Sequence, residues 1–587
     1  MSPPTADAPV VDEAIAAPSA PAGPGSRRLE LLLRALPVAF VMVLGWTHRW
    51  VEEDAFINFR VVDQIRAGHG PVFNIGQRVE VATSTLWLAI LTVGRTVLPF
   101  VELEHLSIVL GLVLSGLGLW WVQAGAAKIW RRTDSTALIV PFAVVVIAAL
   151  PPTWDWATSG LENGLSIAWL GGVMLVLATV ARSDPPPMST ARLMAAGFVL
   201  GLGPLVRPDL TIMSAIAVVV VLVVRRLRGA SLAWFLIGAL ALPVLTELFR
   251  MGYYGILVPN TALAKDSGGT YWSDGWNYLV DFVVPYWLWV PLLALAVTAV
   301  LVLLRAPWTT TVVALALPVG GALHALYIVN SGGDYLHARL LMPSVFALVA
   351  PLAALPWHRR LVAPAAVVGV WAIVAVAVLR PSIHEAFVPL TEHGVVEGRV
   401  LMENLTRPGR RPVLAEDFRF TDGPLAKRLQ QRGERALVIN TEEEPILDAT
   451  PARTTLVSLA SGISGYRAGP EVLVHEYNSL ADPVGGHMPA NGTGAGHRKR
   501  KGYPWVIALT TVPGVDAGFP AAKVDAARAA LQCGELRDLV ESTEAPLTVD
   551  RFWSNLTGAI GRTRLVVPMD EAAAERTFCG DHGTISR

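Results

Sequence analysis

The feature that most constrains this chain is a series of uninterrupted apolar runs. A helix that crosses a bilayer needs about 20 residues at 1.5 Å rise each. Runs near that length recur at 30–48, 83–98, 105–126, 136–152, 160–182, 191–206, 209–226, 231–249, 282–304, 309–329, 340–356 and 361–380. Beyond Arg380 the chain turns polar. Only 16% of the 587 residues are charged, well under the quarter usual for a soluble domain. The fold class expected is a polytopic α-helical membrane protein. The formal net charge is zero, so no bulk field points to a nucleic-acid partner.

Positive clusters mark cytoplasmic loops. Here they are K-I-W-R-R (128–132), R-R-L-R (225–228) and H-R-R (358–360), with Arg27, Arg28 and Arg34 near the start. Twelve full crossings cannot place them all on one side. The run 83–98 is short, carries Arg95 and ends at Pro99. Read as a juxtamembrane or half-inserted helix, it leaves about eleven crossings. Residues 1–26, rich in Pro, Ala and Ser, read as a disordered cytoplasmic tail. Residues 27–380 form the membrane domain. Residues 381–587 form an extracytoplasmic α+β domain, with strands expected at Arg411–Ala415, Ala436–Ile439, Glu471–Tyr477 and Trp505–Leu509 and a helix at Val524–Leu539. Cys533 and Cys579 both fall there. A disulfide and two separate buried thiols stay open as alternatives.

This topology gathers the polar stretches on the outer face. The first is W-V-E-E-D-A-F-I-N-F-R (50–60), where Glu52, Glu53 and Asp54 meet at the lipid boundary. One acid at a helix start complements its dipole; three beside lipid are costly and point to function. A carboxylate near an apolar wall serves as a base or steadies a sugar cation. The helix that follows presents Glu53, Arg60 and Gln64 on a narrow polar stripe and is expected to lie against the membrane. Arg207, Arg250, Lys265 and Arg339 lie at outer helix ends and suit a phosphate. Snorkelling to headgroups is the plainer alternative for any one of them. Asn260, Asp334 and His337 accompany them. Tyr253 and Tyr254 read either as interface aromatics or as a sugar platform. Trp154 and Glu162, with His487 and His497 further on, are candidates for holding an acceptor. The run H-R-K-R-K (497–501) reads equally as a solvated basic loop. Carboxylate oxygens suit Mg²⁺ or Ca²⁺, and no Cys/His spacing suits zinc. No nucleotide-binding fingerprint occurs in a usable context, which favours a lipid-linked sugar phosphate entering from the bilayer.

The order of several stretches resembles membrane glycosyltransferases of the GT-C class. They are E-D-A-F-I, then G-H-G-P-V-F-N-I-G-Q-R-V-E, T-S-G-L-E, V-R-P-D, Y-Y-G-I-L-V-P-N-T-A-L-A-K and G-G-D-Y-L-H-A-R-L-L-M-P. With G-Y-R-A-G-P-E-V-L-V-H-E-Y-N-S-L-A-D-P and G-H-R-K-R-K-G-Y-P-W-V, the pattern is similar to an actinobacterial arabinofuranosyltransferase group. The resemblance implies a donor, decaprenyl-phosphoryl-arabinofuranose, and an arabinan acceptor in arabinogalactan or lipoarabinomannan. It implies a terminal β-(1→2) arabinofuranose as product, made at the plasma membrane. The family's first-loop acidic pair falls on Glu53 and Asp54, with Glu in place of the more usual Asp and Glu52 in addition. Another lipid-linked sugar transferase, for instance of mannose, and a lipid-sugar flippase are the rival readings. The acids crowd helix ends rather than the bilayer midplane, which favours an enzyme over a transporter.

Overall fold

A computed structural model describes residues 24–131, 137–181, 188–379, 394–439, 444–458, 461–492 and 496–580. The expected N-terminal tail lies almost wholly outside the described residues. Among the described residues seven helices are long and apolar enough to cross a membrane: Ser26–Thr47, Leu103–Trp130, Asn163–Val180, Pro208–Arg225, Gly229–Tyr254, Trp308–Asn330 and Arg359–Ala377. Four shorter apolar helices are Thr85–Val97, Thr190–Val206, Trp289–Leu303 and Met342–Leu352. The first of these has 13 residues, about 20 Å of rise, too little to cross the hydrocarbon core of about 30 Å.

Two expected spans mix strand with short helices, and a third, 282–304, begins in the Trp272–Val283 helix and turns before Trp289–Leu303. Residues 136–152 contain strand β1 (Ile139–Pro141), a six-residue helix Val144–Ala149 and the start of another, Pro151–Trp156. Pro151 removes an N–H donor and begins a new helix instead of continuing the old one. Residues 340–356 contain the Met342–Val349 helix, a 3-10 turn with Pro351, and strand β2 (Ala354–Pro356). The two broken segments answer each other. β1 pairs antiparallel with β2 at one end, and Trp156 Nε1 donates to His337 O at the other (3.1 Å). The strand end lies beside the first and third basic clusters: Trp130 donates to Pro351 O, Arg131 pairs with Glu30, and Trp357 N donates to Leu138 O.

Small residues let the Leu103–Trp130 and Asn163–Val180 helices touch backbone to backbone. A Cβ on Gly118 would sit 2.4 Å from Ile167 O, and one on Gly171 would sit 2.6 Å from Gly118 O. Close approach of this kind replaces the hydrophobic drive that lipid cannot supply.

The C-terminal part holds a parallel three-stranded sheet of β3 (Leu437–Val438), β4 (Thr455–Ser458) and β5 (Leu473–Glu476). The Ser461–Ala468 helix carries the chain from β4 to β5, as parallel strands require a crossover. Two expected strands are corrected. Residues 411–414 form no strand, and Ala415–Asp417 is a 3-10 turn. Trp505–Leu509 lies inside the Tyr503–Thr510 helix. There Pro504 occupies the first turn, where a missing N–H costs nothing, and a five-residue apolar run carries no periodicity to separate helix from strand. The expected helix 524–539 is split at Cys533, which forms a disulfide with Cys579.

The first-loop helix, Glu53–Arg66, is largely buried in protein, and the C-terminal part covers one side of it. Arg60 is 1% exposed. Its guanidinium donates to the carbonyls of Phe73, Gly465, Gly469 and Val472 at 2.6–2.8 Å. Gln64 donates to Pro470 O. Asn74 mimics a strand neighbour, exchanging hydrogen bonds with both backbone groups of Val474 at 2.9 Å. Asn260 donates to the carbonyls of Ser479, Leu480 and Asp482. Arg60 and Asn260, expected to face a donor, are therefore rivets between the two parts, because their side-chain donors are taken up by backbone carbonyls and, for one Arg60 Nη2 bond, by Asn74 Oδ1.

Candidate active site

The three acids of the first loop have three separate partners. Glu52 is the N-cap of its helix: Oε2 accepts from Asp54 N (2.5 Å), satisfying an orphan donor. Glu53 turns the other way and caps the Ser461–Ala468 helix, accepting from Gly462 N (2.6 Å) and Ile463 N (3.2 Å). Asp54 faces Arg339, with Nη1 3.3 Å from Oδ2. Burial, with the negative charge of Asp54 beside it, pushes the Glu52 carboxyl up to about 8. Burial and then the charges of Asp54 and Glu52 push Glu53 up as well. Burial alone would raise Asp54 too, but Lys265 and then Arg339 override it and hold Asp54 below the ordinary carboxylate value. One of the three is thus kept ionised and two are driven toward neutrality. This removes most of the like-charge cost that the sequence posed.

Arg339 is buried among three carboxylates: Asp54, Glu162 at 3.6 Å and Asp334 at 3.7 Å. Burial would weaken its charge, and Glu162, Asp334 and Asp54 more than restore it. Behind it Glu162 Oε1 is shared with Arg207 Nη1 at 2.9 Å, and Arg207 grips Asp209 with two hydrogen bonds of 3.0 Å. Asp209 accepts from or pairs with His324 (2.8 Å), and His324 contacts Ser344 Oγ (2.7 Å). A ladder of alternating charge runs from Asp54 into the helix bundle and fixes the guanidinium that faces it. The T-S-G-L-E, V-R-P-D and G-G-D-Y-L-H-A-R stretches supply its rungs. The last turns sharply, with Gly332, Gly333 and Ala338 at positive φ.

Lys265 and His497 lie close enough to Asp54 for charge to act between them. Lys265 has no hydrogen-bond or ion-pair partner among the described residues, and its charge acts on both Asp54 and His497. Burial, then Lys265, push the His497 imidazole down to about 4, so it is neutral, and its Nδ1 is buried without a partner. The His497 ring lies 4.9 Å from that of Tyr335, which burial and the acids Asp54, Glu52 and Asp334 hold in the neutral form. Of the rest of H-R-K-R-K, Arg500 is exposed and the other three are paired. Arg498 lies over the Tyr271 ring and pairs with Asp274, Lys499 pairs with Asp266, and Lys501 with Asp482. Among the described residues no three His, Cys, Asp or Glu side chains converge as metal ligands. Asp54, Glu162 and Asp334 converge on a guanidinium instead, so they do not fit a divalent ion and no step is assigned to one.

Of the residues expected from sequence, the structure brings together Asp54, Arg339, Asp334, Lys265 and His497, with Glu162 and Arg207 behind them. Glu162 braces Arg339 and is not positioned as an acceptor contact. His337 points away, held by Asp281 (2.6 Å) and Tyr286 (3.0 Å). Arg250 is tied to Glu80 and Glu247. Tyr254 donates to Pro71 O, and Tyr253 stacks on Phe249. Trp154 is buried against Phe40 and His48. His487 is buried with its Nδ1 on Leu565 O. His337, Arg250, Tyr254 and His487 spend polar atoms on partners outside this charge cluster, whereas Trp154 Nε1 is buried without a hydrogen-bond partner among the described residues. Tyr335 and His324 were missed. Tyr335 adjoins Asp334 in a stretch already selected, while nothing local marks His324 within its apolar run.

An apolar cavity of about 330 Å³ opens between the first-loop helix, the Thr85–Val97 helix and the end of Gly229–Tyr254. Val61, Ile65, Leu88, Val93 and Phe249 line it, and the Glu80–Arg250 pair sits in its wall. Val61 stands seven residues along the helix from Asp54, about 10 Å.

A paired, ionised acid and an unpaired cation at the ends of membrane-length apolar helices, beside an apolar cavity, are the makings of a membrane-embedded enzyme. Residues 424–575 match the AftB family C-terminal domain. The terminal beta-(1->2)-arabinofuranosyltransferase of Mycobacterium tuberculosis is 32% identical, across 92% of this chain and 95% of that protein. The protein of the same name from Corynebacterium glutamicum is 30% identical, across 93% and 88%. The chain belongs to this family of glycosyltransferases.

Proposed function

We propose that this protein transfers arabinofuranose from decaprenyl-phosphoryl-arabinofuranose to the non-reducing ends of cell-wall arabinan, in arabinogalactan and in lipoarabinomannan, through a β-(1→2) bond. The observation that carries the reading is Asp54, held ionised by Arg339, with Lys265 near enough for its charge to act on Asp54 and without an ion-pair partner among the described residues. Lys265 attracts the donor phosphate and the apolar cavity takes the prenyl segment next to it. Asp54 is aimed at the anomeric carbon. As the C1–O bond breaks, its electron pair leaves with the prenyl phosphate, whose growing charge Lys265 offsets. Asp54 steadies the positive charge that appears on the ring. The acceptor hydroxyl then bonds to C1 on the face the phosphate has left, and its proton goes to the departing phosphate oxygen. Front-face attack of this kind keeps the β configuration of a β-linked donor without a second nucleophile, in accord with the neutrality of Glu52 and Glu53.

The fold that supports this reading is of the GT-C type, with about eleven crossings counting the two broken segments. It sits in the bacterial plasma membrane, with the candidate site and the C-terminal domain, 381–587, on the periplasmic side. The test is transfer of radiolabelled sugar from purified decaprenyl-phosphoryl-arabinose to a synthetic arabinan, comparing wild type with Asp54→Asn. Transfer from a mannosyl donor in its place, or movement of the lipid sugar across vesicles with no product on acceptor, would overturn the proposal.

A further inference from the structure

The Val549–Arg564 helix of the C-terminal part has a face that the fold leaves bare. Val549, Trp553 and Ile560 are 74%, 59% and 47% exposed. With the half-buried Leu556 they fall at i, i+4, i+7 and i+11, one stripe of a helix. Leu547 and Val566 extend it at the two ends and are also exposed. The exposed polar residues of the helix, Asp550, Ser554, Thr557 and Arg564, lie to one side of the stripe, roughly 50–130° from its centre.

The position of this helix says what covers the stripe. It is bolted to the outer end of the Gly229–Tyr254 helix. Phe552 fills the space where Gly252 has no side chain, Asn555 Nδ2 donates to Gly252 O, Arg562 donates to Gly255 O, and Leu257 N donates to Thr563 Oγ1. The Gly229–Tyr254 helix has 26 residues, about 39 Å of rise against a hydrocarbon core of about 30 Å. Its last turn therefore stands at headgroup depth. Its flank, with Val244, Leu245, Leu248 and Phe249 exposed, faces lipid. The bare stripe adjoins the contact face of its own helix and so continues that lipid-facing flank.

We infer that the Val549–Arg564 helix is an interfacial helix that rests its Val549–Trp553–Ile560 stripe in the outer leaflet, so that the C-terminal part is seated on the bilayer as well as on the membrane domain. Such helices sink their apolar face about 5–10 Å into the headgroup and acyl boundary, and Trp is the residue favoured at that depth. The occupant is lipid, not a second protein, because the stripe is continuous with a surface that lipid already covers.

The test uses the full-length chain in phosphatidylcholine nanodiscs. Its two native cysteines are joined in a disulfide, so a single introduced cysteine takes an environment-sensitive dye. Trp553→Cys and Ile560→Cys are compared with Ser554→Cys on the polar face, each checked for an unchanged elution profile. The expected result is a blue-shifted emission at 553 and 560. Quenching by lipid carrying a nitroxide high on its acyl chain is several-fold greater there than at 554, and quenching by aqueous iodide is correspondingly weaker. Iodide quenching as strong at 553 and 560 as at 554 overturns the inference. So does shielding at 553 and 560 without nitroxide quenching, which would mark a protein partner.

Discussion

Arg339 Nη1 lies 3.3 Å from Asp54 Oδ2, and 285 residues separate the two in sequence. The contact joins the stretch after the first apolar helix to the stretch after Trp308–Asn330 and so brings both to one end of the membrane domain. If Asp54 steadies the charged ring, Asp54→Asn lowers kcat by about 10²–10³-fold, the usual size for loss of one charge-stabilising group. Arg339→Gln produces a similar loss, since it leaves Asp54 without its guanidinium and Glu162 and Asp334 without their shared cation. Steady-state transfer assays with matched protein levels measure both.

Glu53 behaves differently from its neighbour. Its oxygen accepts two backbone N–H groups of the Ser461–Ala468 helix, a task an amide oxygen also performs. Glu53→Gln therefore keeps most of the transfer activity, whereas Glu53→Ala lowers stability by about 1 kcal/mol as a lost cap does. Thermal melts beside activity assays separate a cap from a catalytic acid.

Lys265→Met is expected to raise the KM for the lipid donor more than it lowers kcat, and Lys265→Arg to recover part of the loss. A partnerless cation contributes chiefly to holding the phosphate. Donor titration at saturating acceptor reads the split.

Glu52 sets a pH dependence. Its ordinary value is 4.5 and in the folded protein it is raised to about 8. Between those values the folded state keeps a proton that the unfolded chain gives up, so stability falls as pH rises through that window. The Glu52→Gln variant cannot ionise, and its melting temperature should decline less from pH 5 to pH 8. Parallel decline in the two proteins would contradict the assignment.

Arg60→Met should destabilise without touching the candidate site. Four carbonyls lose a charged donor, and each buried acceptor left bare costs about 1–3 kcal/mol. The expected signature is a large drop in melting temperature, with kcat per folded molecule nearly unchanged.

Several of these assignments follow from residues that were visible in the sequence but whose partners were not. Asp54, Arg339, Asp334 and Lys265 are identifiable as charges at apolar run ends. Arg60 and Asn260 look the same by that criterion, yet they serve backbone carbonyls of the C-terminal part. Local sequence reports that a polar group is held near lipid, and says nothing of which distant atom satisfies it. The broken segments 136–152 and 340–356 show the same limit for secondary structure. Their apolarity is that of a span, but prolines and the pairing of β1 with β2 decide the backbone path.

The sequence by itself determined the membrane class and the family, because apolar length and motif order are properties of contiguous residues. The tertiary structure alone decided that Glu52, Glu53 and Asp54 do three different jobs. An acid's ionisation and role depend on burial and on the nearest opposite charge or N–H. Here those partners, Arg339 and Gly462, come from hundreds of residues away.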